Sequence, residues 1–292
     1  MNFITYLHAY RFTHFSNPSE IRTSDSLTTL QKLQTLFTGV KNPRPENKIL
    51  PSLPYKSIKI KSNKLLDCWL IKADSAKGTV LLFHGYGGEK SSMLDKAAEF
   101  LNMRYNVLLV DFMGAGGSEG NQTTVGFKEG EEVKDCFEFI KTQGEKNIHL
   151  FGTSMGAVAI MKAINDYKIQ PSSIIIECPF GSMYKTVCAR FSIMKVPSFP
   201  LAGMLMFWGG VQNGFRGFSH NPTQYAKGVT CPSLLLYGEK DEKVSRQEID
   251  DIFKNIGGNK KLITYPGAGH ENYLSKHKLE WTRNVQDFLS TL

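Results

Sequence analysis

The spacing of apolar residues changes rhythm along the chain, and each change marks an element. "YKSIKIKS" (55–62) alternates with a period of two, as a half-buried strand does. "LLDCWLIKA" (65–73) follows across Ser62-Asn63, so the two predict a hairpin. Short runs rich in Leu and β-branched residues come next: "TVLLFHG" (79–85), "NVLLVDF" (106–112), "NIHLFG" (147–152), "SSIIIECP" (172–179), "PSLLLYG" (232–238) and "KLITYPG" (261–267). Continuous apolar runs of this kind suit strands buried on both faces. Helical periodicity separates them. "SSMLDKAAEFLNM" (91–103) would turn Leu94, Ala98 and Leu101 inward, and "EEVKDCFEFIKTQG" (131–144) has Val133, Phe137 and Ile140 at helical spacing. Further helical patterns start at Gly156, at Ser245 and toward Leu292. Strands that alternate with helices after an antiparallel start predict an α/β class chain with a mostly parallel central sheet, flanked by helices.

Two stretches break the rhythm. Residues 1–50 read as an irregular, partly helical extension. Within it, Leu27, Leu30, Leu33 and Leu36 share one helical face before Gly39, and recurring prolines then forbid regular structure. Residues 51–292 form the main domain, interrupted at about 179–228 by a segment rich in Phe, Met, Trp and Gly. A long insertion in a compact domain is usually functional. This one reads as a helical cap, with Met194, Phe199, Leu205, Met206, Phe207 and Trp208 as an apolar wall over a pocket.

Charge and cysteine content narrow the class. The net charge is +8, but residues 1–64 carry +7 of it (10 Lys/Arg against 3 Asp/Glu) and the rest only +1. The basic character therefore belongs to the N-terminal arm together with the first predicted strand. Its plainer reading is a solvated extension, the alternative is contact with an anionic membrane surface, and no nucleic-acid motif accompanies it. Five cysteines, Cys68, Cys136, Cys178, Cys188 and Cys231, form no C-x-x-C pair. They read as reduced, which points to a cytoplasmic protein. The first residues lack the pattern of a signal peptide, and the most apolar run, 196–211, contains two prolines and is too short to span a bilayer.

The chemistry turns on a choice between two serines. Ser154 in "GTSMG" and Ser118 in "GGSEG" both sit in G-x-S-x-G. A nucleophile in this architecture must stand on a sharp strand-to-helix turn, with glycines where side chains would collide. The strand "NIHLF" runs straight into Gly152, and Gly156 opens a helix of small residues, so Ser154 meets the test. Ser118 does not: its strand ends at Phe112 and no helix follows. A serine needs a base, and the base needs an orienting group. Of seven histidines, His270 alone lies in a glycine-rich loop directly after the last predicted strand. His84 reads as a loop-shaping residue, and His149 as part of a buried strand. Asp241, in the loop after "PSLLLYG", is the leading acid, with Glu177 as the fallback.

With these pieces in order, residues ~50–292 resemble the α/β-hydrolase superfamily, serine-hydrolase type. The matching motifs are "HGYGG" (84–88), "DFMGAGGSEG" (111–120), "GTSMG", "GEKDEKV" (238–244) and "GAGHENY" (267–273). The resemblance implies the α/β-hydrolase fold with a helical cap, Ser154 as nucleophile, His270 as base and Asp241 as its orienter. It also implies an oxyanion hole made by the backbone N–H groups of Tyr86 and Met155. Two features depart from it: Met113 stands where relatives often carry arginine, and residues 1–50 fall outside the match.

The expected activity is hydrolysis of an ester-type bond in a small or hydrophobic molecule through an acyl-enzyme, that is, a carboxylesterase. The alternatives are a thioesterase or serine peptidase with the same triad, or a hydrolase fold that binds a ligand without turning it over. No histidine–carboxylate cluster has zinc-ligand spacing and no dinucleotide or P-loop pattern opens the first parallel strand, so no metal and no cofactor is expected.

Overall fold

The computed structural model describes residues 1–17 and 38–292, and in it the predicted hairpin starts the sheet. Strand β1 (Tyr55–Lys61) pairs antiparallel with β2 (Leu65–Ile71), with Ile60 opposite Leu66. Lys56, Lys59 and Lys61 on β1 are exposed, charging an edge that would otherwise invite another strand. The core strands are β3 (Thr79–Phe83), β4 (Asn106–Val110), β5 (Ile148–Thr153), β6 (Ser173–Glu177), β7 (Ser233–Gly238) and β8 (Lys260–Tyr265). The sheet runs β1-β2-β4-β3-β5-β6-β7-β8. From β4 to β8 every pairing is parallel.

Both faces are covered. On one, helices Glu129–Thr142 (α3), Met155–Tyr167 (α4) and Arg246–Asn255 (α8) bury Val133, Ile160 and Ile249 against Leu81, Ile174 and Leu235. On the other, helices Leu94–Asn102 (α2) and Lys278–Ser290 (α10) bury Phe100 and Trp281 against Val80, Phe151 and Ile175. This is the alternation that a two-faced sheet requires. The capping box at Ser245 and Glu248 starts α8 as the sequence suggests.

Helix α2 presents a different face from the one expected. Ala97 and Phe100 are buried, Ala98 is exposed, and Leu94 and Leu101 lie only at the margin. A 3₁₀ turn over Lys90–Met93 precedes the helix, and Lys90 is bonded to Asp111. That anchor sets the rotation of α2, and Phe100 enters the core edge-on to Phe151 and Trp281.

The insertion between β6 and β7 is helical, with α5 (Met183–Ile193), α6 (Leu201–Asn213) and α7 (Pro222–Tyr225). Its apolar wall is only partly as expected. Met206 is buried and Leu205 packs on the core, whereas Met194, Phe199 and Phe207 face outward.

The arm holds an unforeseen helix, α1 (Asn2–Thr13). It lies against α6, where Tyr6 meets Trp208 edge-on at 5.3 Å and Gln212 donates to the Tyr6 carbonyl. Farther along, the Arg44 guanidinium donates to the carbonyls of Gly116, Ser118 and Gly120. These contacts fix the described parts of the arm to the domain, while Phe3, Val40, Ile49 and Leu50 stay exposed. The leucine-faced helix expected over 26–39 lies almost wholly outside the described residues. The five cysteines are all unpaired. Among the described residues, no helix is long and apolar enough to cross a membrane. Two short α-helices of this set, α7 and α9 (Tyr273–Lys276), merely close loops.

Candidate active site

Ser154 stands between β5 and α4 with φ of 51° and ψ of −107°, a strained conformation for a side chain with a Cβ. The chain can turn this sharply because its flanks are bare. A Cβ on Gly152 would meet the Gly156 backbone at 2.5 Å, and one on Gly156 would meet the Phe83 carbonyl oxygen at 2.2 Å. The Ser154 N–H donates to the Glu177 carbonyl at 2.8 Å, which fixes the turn to the end of β6.

His270, in the loop after β8, brings Nε2 to 3.1 Å from Ser154 Oγ and Nδ1 to 2.7 Å from Asp241 Oδ2. Asp241 comes from the loop after β7. Its Oδ1 accepts from the N–H groups of Lys243 and Val244, so the carboxylate is fixed at both oxygens. An ionised carboxylate only accepts, so Nδ1 of a neutral His270 carries the hydrogen and Nε2 is left to accept from the serine hydroxyl. Burial works against charge on His270. The Cys178 sulfur and the Asp241 carboxylate beside it outweigh burial, and the imidazole is pushed up to about 10.

The other candidates are occupied elsewhere. Ser118 is buried, donates to the Asp111 carbonyl and accepts from the Asp67 N–H, bracing the loop after β4. Glu177 accepts from Trp281 Nε1 at 2.7 Å and from Thr153 Oγ1 at 3.0 Å, so the fallback acid is a structural anchor. Glu239 and Glu242 are exposed. Burial lowers His149 and His220 to about 4, keeping both neutral.

Met155 is the first residue of α4, so its N–H lies outside the helical ladder at the positive end of the helix dipole, beside Ser154. The loop carrying Tyr86 is held from two sides. The Phe112 N–H donates to Nε2 of the buried His84, whose Nδ1–H donates to the Gly85 carbonyl. Lys90, fully buried, bonds Asp111 and Asp67 and sits 4.4 Å from the centre of the Trp69 ring. Above the loop, Phe12 stacks on Tyr86 at 4.8 Å, and the Tyr86 hydroxyl donates to the Phe12 carbonyl. Burial pushes Tyr86 up to about 12, against the pull of the nearby Arg190. Lys90, Phe12 and Arg190 carry no recognisable motif, and only their placement brings them to the site. Met113, the departure from the resemblance, is buried beside Glu132, whose carboxylate accepts its N–H.

Among the described residues, Cys178, Asp241 and His270 bring three metal-ligand atoms within 4.8 Å of one another. This group coincides with the serine site, and two of its members are already committed to each other. Cys178 is fully buried and was not singled out by the sequence; its φ of 40° directly after β6 sets it beside the histidine.

Comparison with known proteins bears on the fold and the family. The family model described as serine aminopeptidase, S33, matches residues 74–227, more than half of the chain. The matched stretch contains Ser154 and the cap but ends before Asp241 and His270. YqkD of Bacillus subtilis is 24% identical over 218 residues, covering 73% of this chain and 72% of that protein. The monoacylglycerol lipase abhd6-A of Xenopus laevis is 29% identical over 112 residues, 38% of this chain and 33% of the lipase. Among solved structures, the Pyrococcus furiosus esterase Pf2001 superposes with a TM-score of 0.73 at 25% identity, covering 85% of this chain and 96% of that one.

Proposed function

The chain belongs to the α/β-hydrolase family described as serine aminopeptidase, S33, and we propose that it is a serine hydrolase that cleaves carboxylic esters through an acyl-enzyme. One observation carries this reading: the unbroken line of hydrogen bonds from Ser154 through His270 to Asp241, built on a serine at positive φ. His270 Nε2 takes the Ser154 proton as Oγ attacks the substrate carbonyl carbon. The oxyanion that forms is received by the N–H groups of Tyr86 and Met155, donors worth a factor of ~10²–10³ each in such sites. The carbon–oxygen bond to the alcohol then breaks, and His270 returns its proton to the leaving oxygen. Water repeats the sequence on the acyl-enzyme, with His270 again accepting and then restoring the serine proton.

An ester is favoured over a peptide with a free amino terminus by the composition of the cap. From Cys178 to Gly238 there is no Asp or Glu, so the cap offers no counter-charge to an α-ammonium group. The likeness to an esterase structure and to a lipase sequence supports the same choice. The family description keeps aminopeptidase as the second reading. The test is a panel of p-nitrophenyl esters of rising acyl length, the matching thioesters and aminoacyl-p-nitroanilides. Turnover of esters well above the other two supports the proposal. Preferential turnover of the anilides would replace it with the peptidase reading.

A further inference from the structure

The cap shows an unusual surface on its outer side. Phe199 is 84% exposed, Met194 61%, Phe218 59% and Phe207 54%. Phe207 and Phe218 line one open groove together with Val211, itself more than half exposed. Scattered exposed apolar residues are ordinary, but aromatic side chains gathered on one groove call for a partner. Helix α1, which lies along α6, adds an exposed Phe3.

Charge says which partner. Residues 178–238 contain Lys185, Arg190, Lys195, Arg216 and Lys227 and no acidic residue, and residues 1–17 contain Arg11 and no acidic residue. Lys185, Lys195 and Arg216 are exposed, and Arg216 lines the groove itself, whereas Lys227 lies beside the end of α4 and is not part of this face. A second copy docked on the same face would set these cations against themselves. An anionic lipid surface accepts both features, with aromatic side chains entering the headgroup boundary and Lys and Arg reaching phosphate oxygens.

We infer that the outer face of the cap, with the start of α1, docks this protein on the surface of an anionic lipid bilayer. The protein lies on the membrane instead of crossing it, in keeping with the lengths of the described helices. This binding does not depend on the ester chemistry proposed for Ser154.

The test is co-sedimentation of the full chain with phosphatidylcholine vesicles, with and without phosphatidylglycerol, at low and high salt. The comparison variant is Phe207→Asp/Phe218→Asp, with Lys56→Glu/Lys61→Glu on the far β1 edge as the control for general charge. The expected result is binding to the anionic vesicles that weakens with salt. It falls roughly tenfold or more in the phenylalanine variant and little in the edge variant. Thermal midpoint and hydrolysis of a water-soluble ester should stay at wild-type values in both. No vesicle binding, or equal loss in both variants, would overturn the inference. So would a concentration-dependent dimer that Phe207→Asp/Phe218→Asp abolishes, because the face would then belong to a second copy. Since sedimentation is read without substrate, failure of the hydrolase reading would leave this result standing.

Discussion

The rings of Phe12 and Tyr86 stack with centroids 4.8 Å apart and planes 12° from parallel. Phe12 belongs to the N-terminal arm and Tyr86 to the loop proposed to hold the oxyanion, so the arm is a structural neighbour of the chemistry. Asn42, also from the arm, donates to the same Tyr86 hydroxyl. Replacing Phe12 by Ala should lower stability by about 2 kcal/mol. It should also reduce kcat several-fold, with a smaller change in KM, because the loop loses its roof. Thermal unfolding and steady-state kinetics on a soluble ester check both.

The pH profile follows from the surroundings of His270. The imidazole must be neutral to take the serine proton, and its neighbours push it up to about 10. Activity should therefore rise with pH, with an inflection on the alkaline side of the ordinary histidine value near 6.5. Cys178→Ala removes a neighbour that raises His270, so the inflection should move toward neutral pH. Asp241→Asn should cost on the order of 10³–10⁴ in kcat, because the imidazole loses the partner that fixes its tautomer.

Two glycines should respond in opposite directions to a methyl group. Gly156→Ala places Cβ against the Phe83 carbonyl at 2.2 Å, where neither backbone can yield, and should cost more than about 3 kcal/mol or prevent folding. Gly203→Ala, in the helix α6 with nothing within 4 Å, should gain about 0.5–1 kcal/mol. Urea midpoints of the two variants test the contrast.

Acid should unfold the protein through its buried histidines. His149 and His220 sit near 4 in the folded chain and near 6.5 when it is unfolded. Between these values the unfolded state binds the extra protons, so stability is full above about 6.5 and is lost as pH falls toward 4. The fully buried His220 accounts for on the order of 3 kcal/mol of this. A His220→Gln variant should show a shallower loss of thermal midpoint across that window.

Lys90 makes a separate prediction. Its ammonium is enclosed with the carboxylates of Asp111 and Asp67. Lys90→Met should cost about 3–5 kcal/mol, since Asp111 would remain buried without its cation. Lys90→Met/Asp111→Asn should recover part of that loss in chemical denaturation.

The core strands could be read from the sequence because burial on both faces leaves unbroken apolar runs such as "TVLLF" and "SIIIE". Ser154 could be read because Gly152 and Gly156 are forced on the chain by backbone contacts within the turn itself. His270 and Asp241 could be placed because each follows a recognisable strand. The rest depended on contacts distant in sequence. Helix α1 has apolar residues on every side and no side-chain cap, so nothing local announced it. The inward face of α2 is not legible in local spacing, because Lys90, tied to Asp111, sets its rotation. Cap residues such as Phe199 and Phe207 have the composition of a pocket wall, and only the tertiary structure turns them toward solvent.

Whether Ser154 is an activated nucleophile is decided by intact-mass analysis after fluorophosphonate treatment. Wild type and Ser118→Ala should each gain one adduct, and Ser154→Ala should gain none. A folded wild-type protein that takes no adduct, or an adduct that persists in Ser154→Ala, would show that Ser154 is not the activated nucleophile.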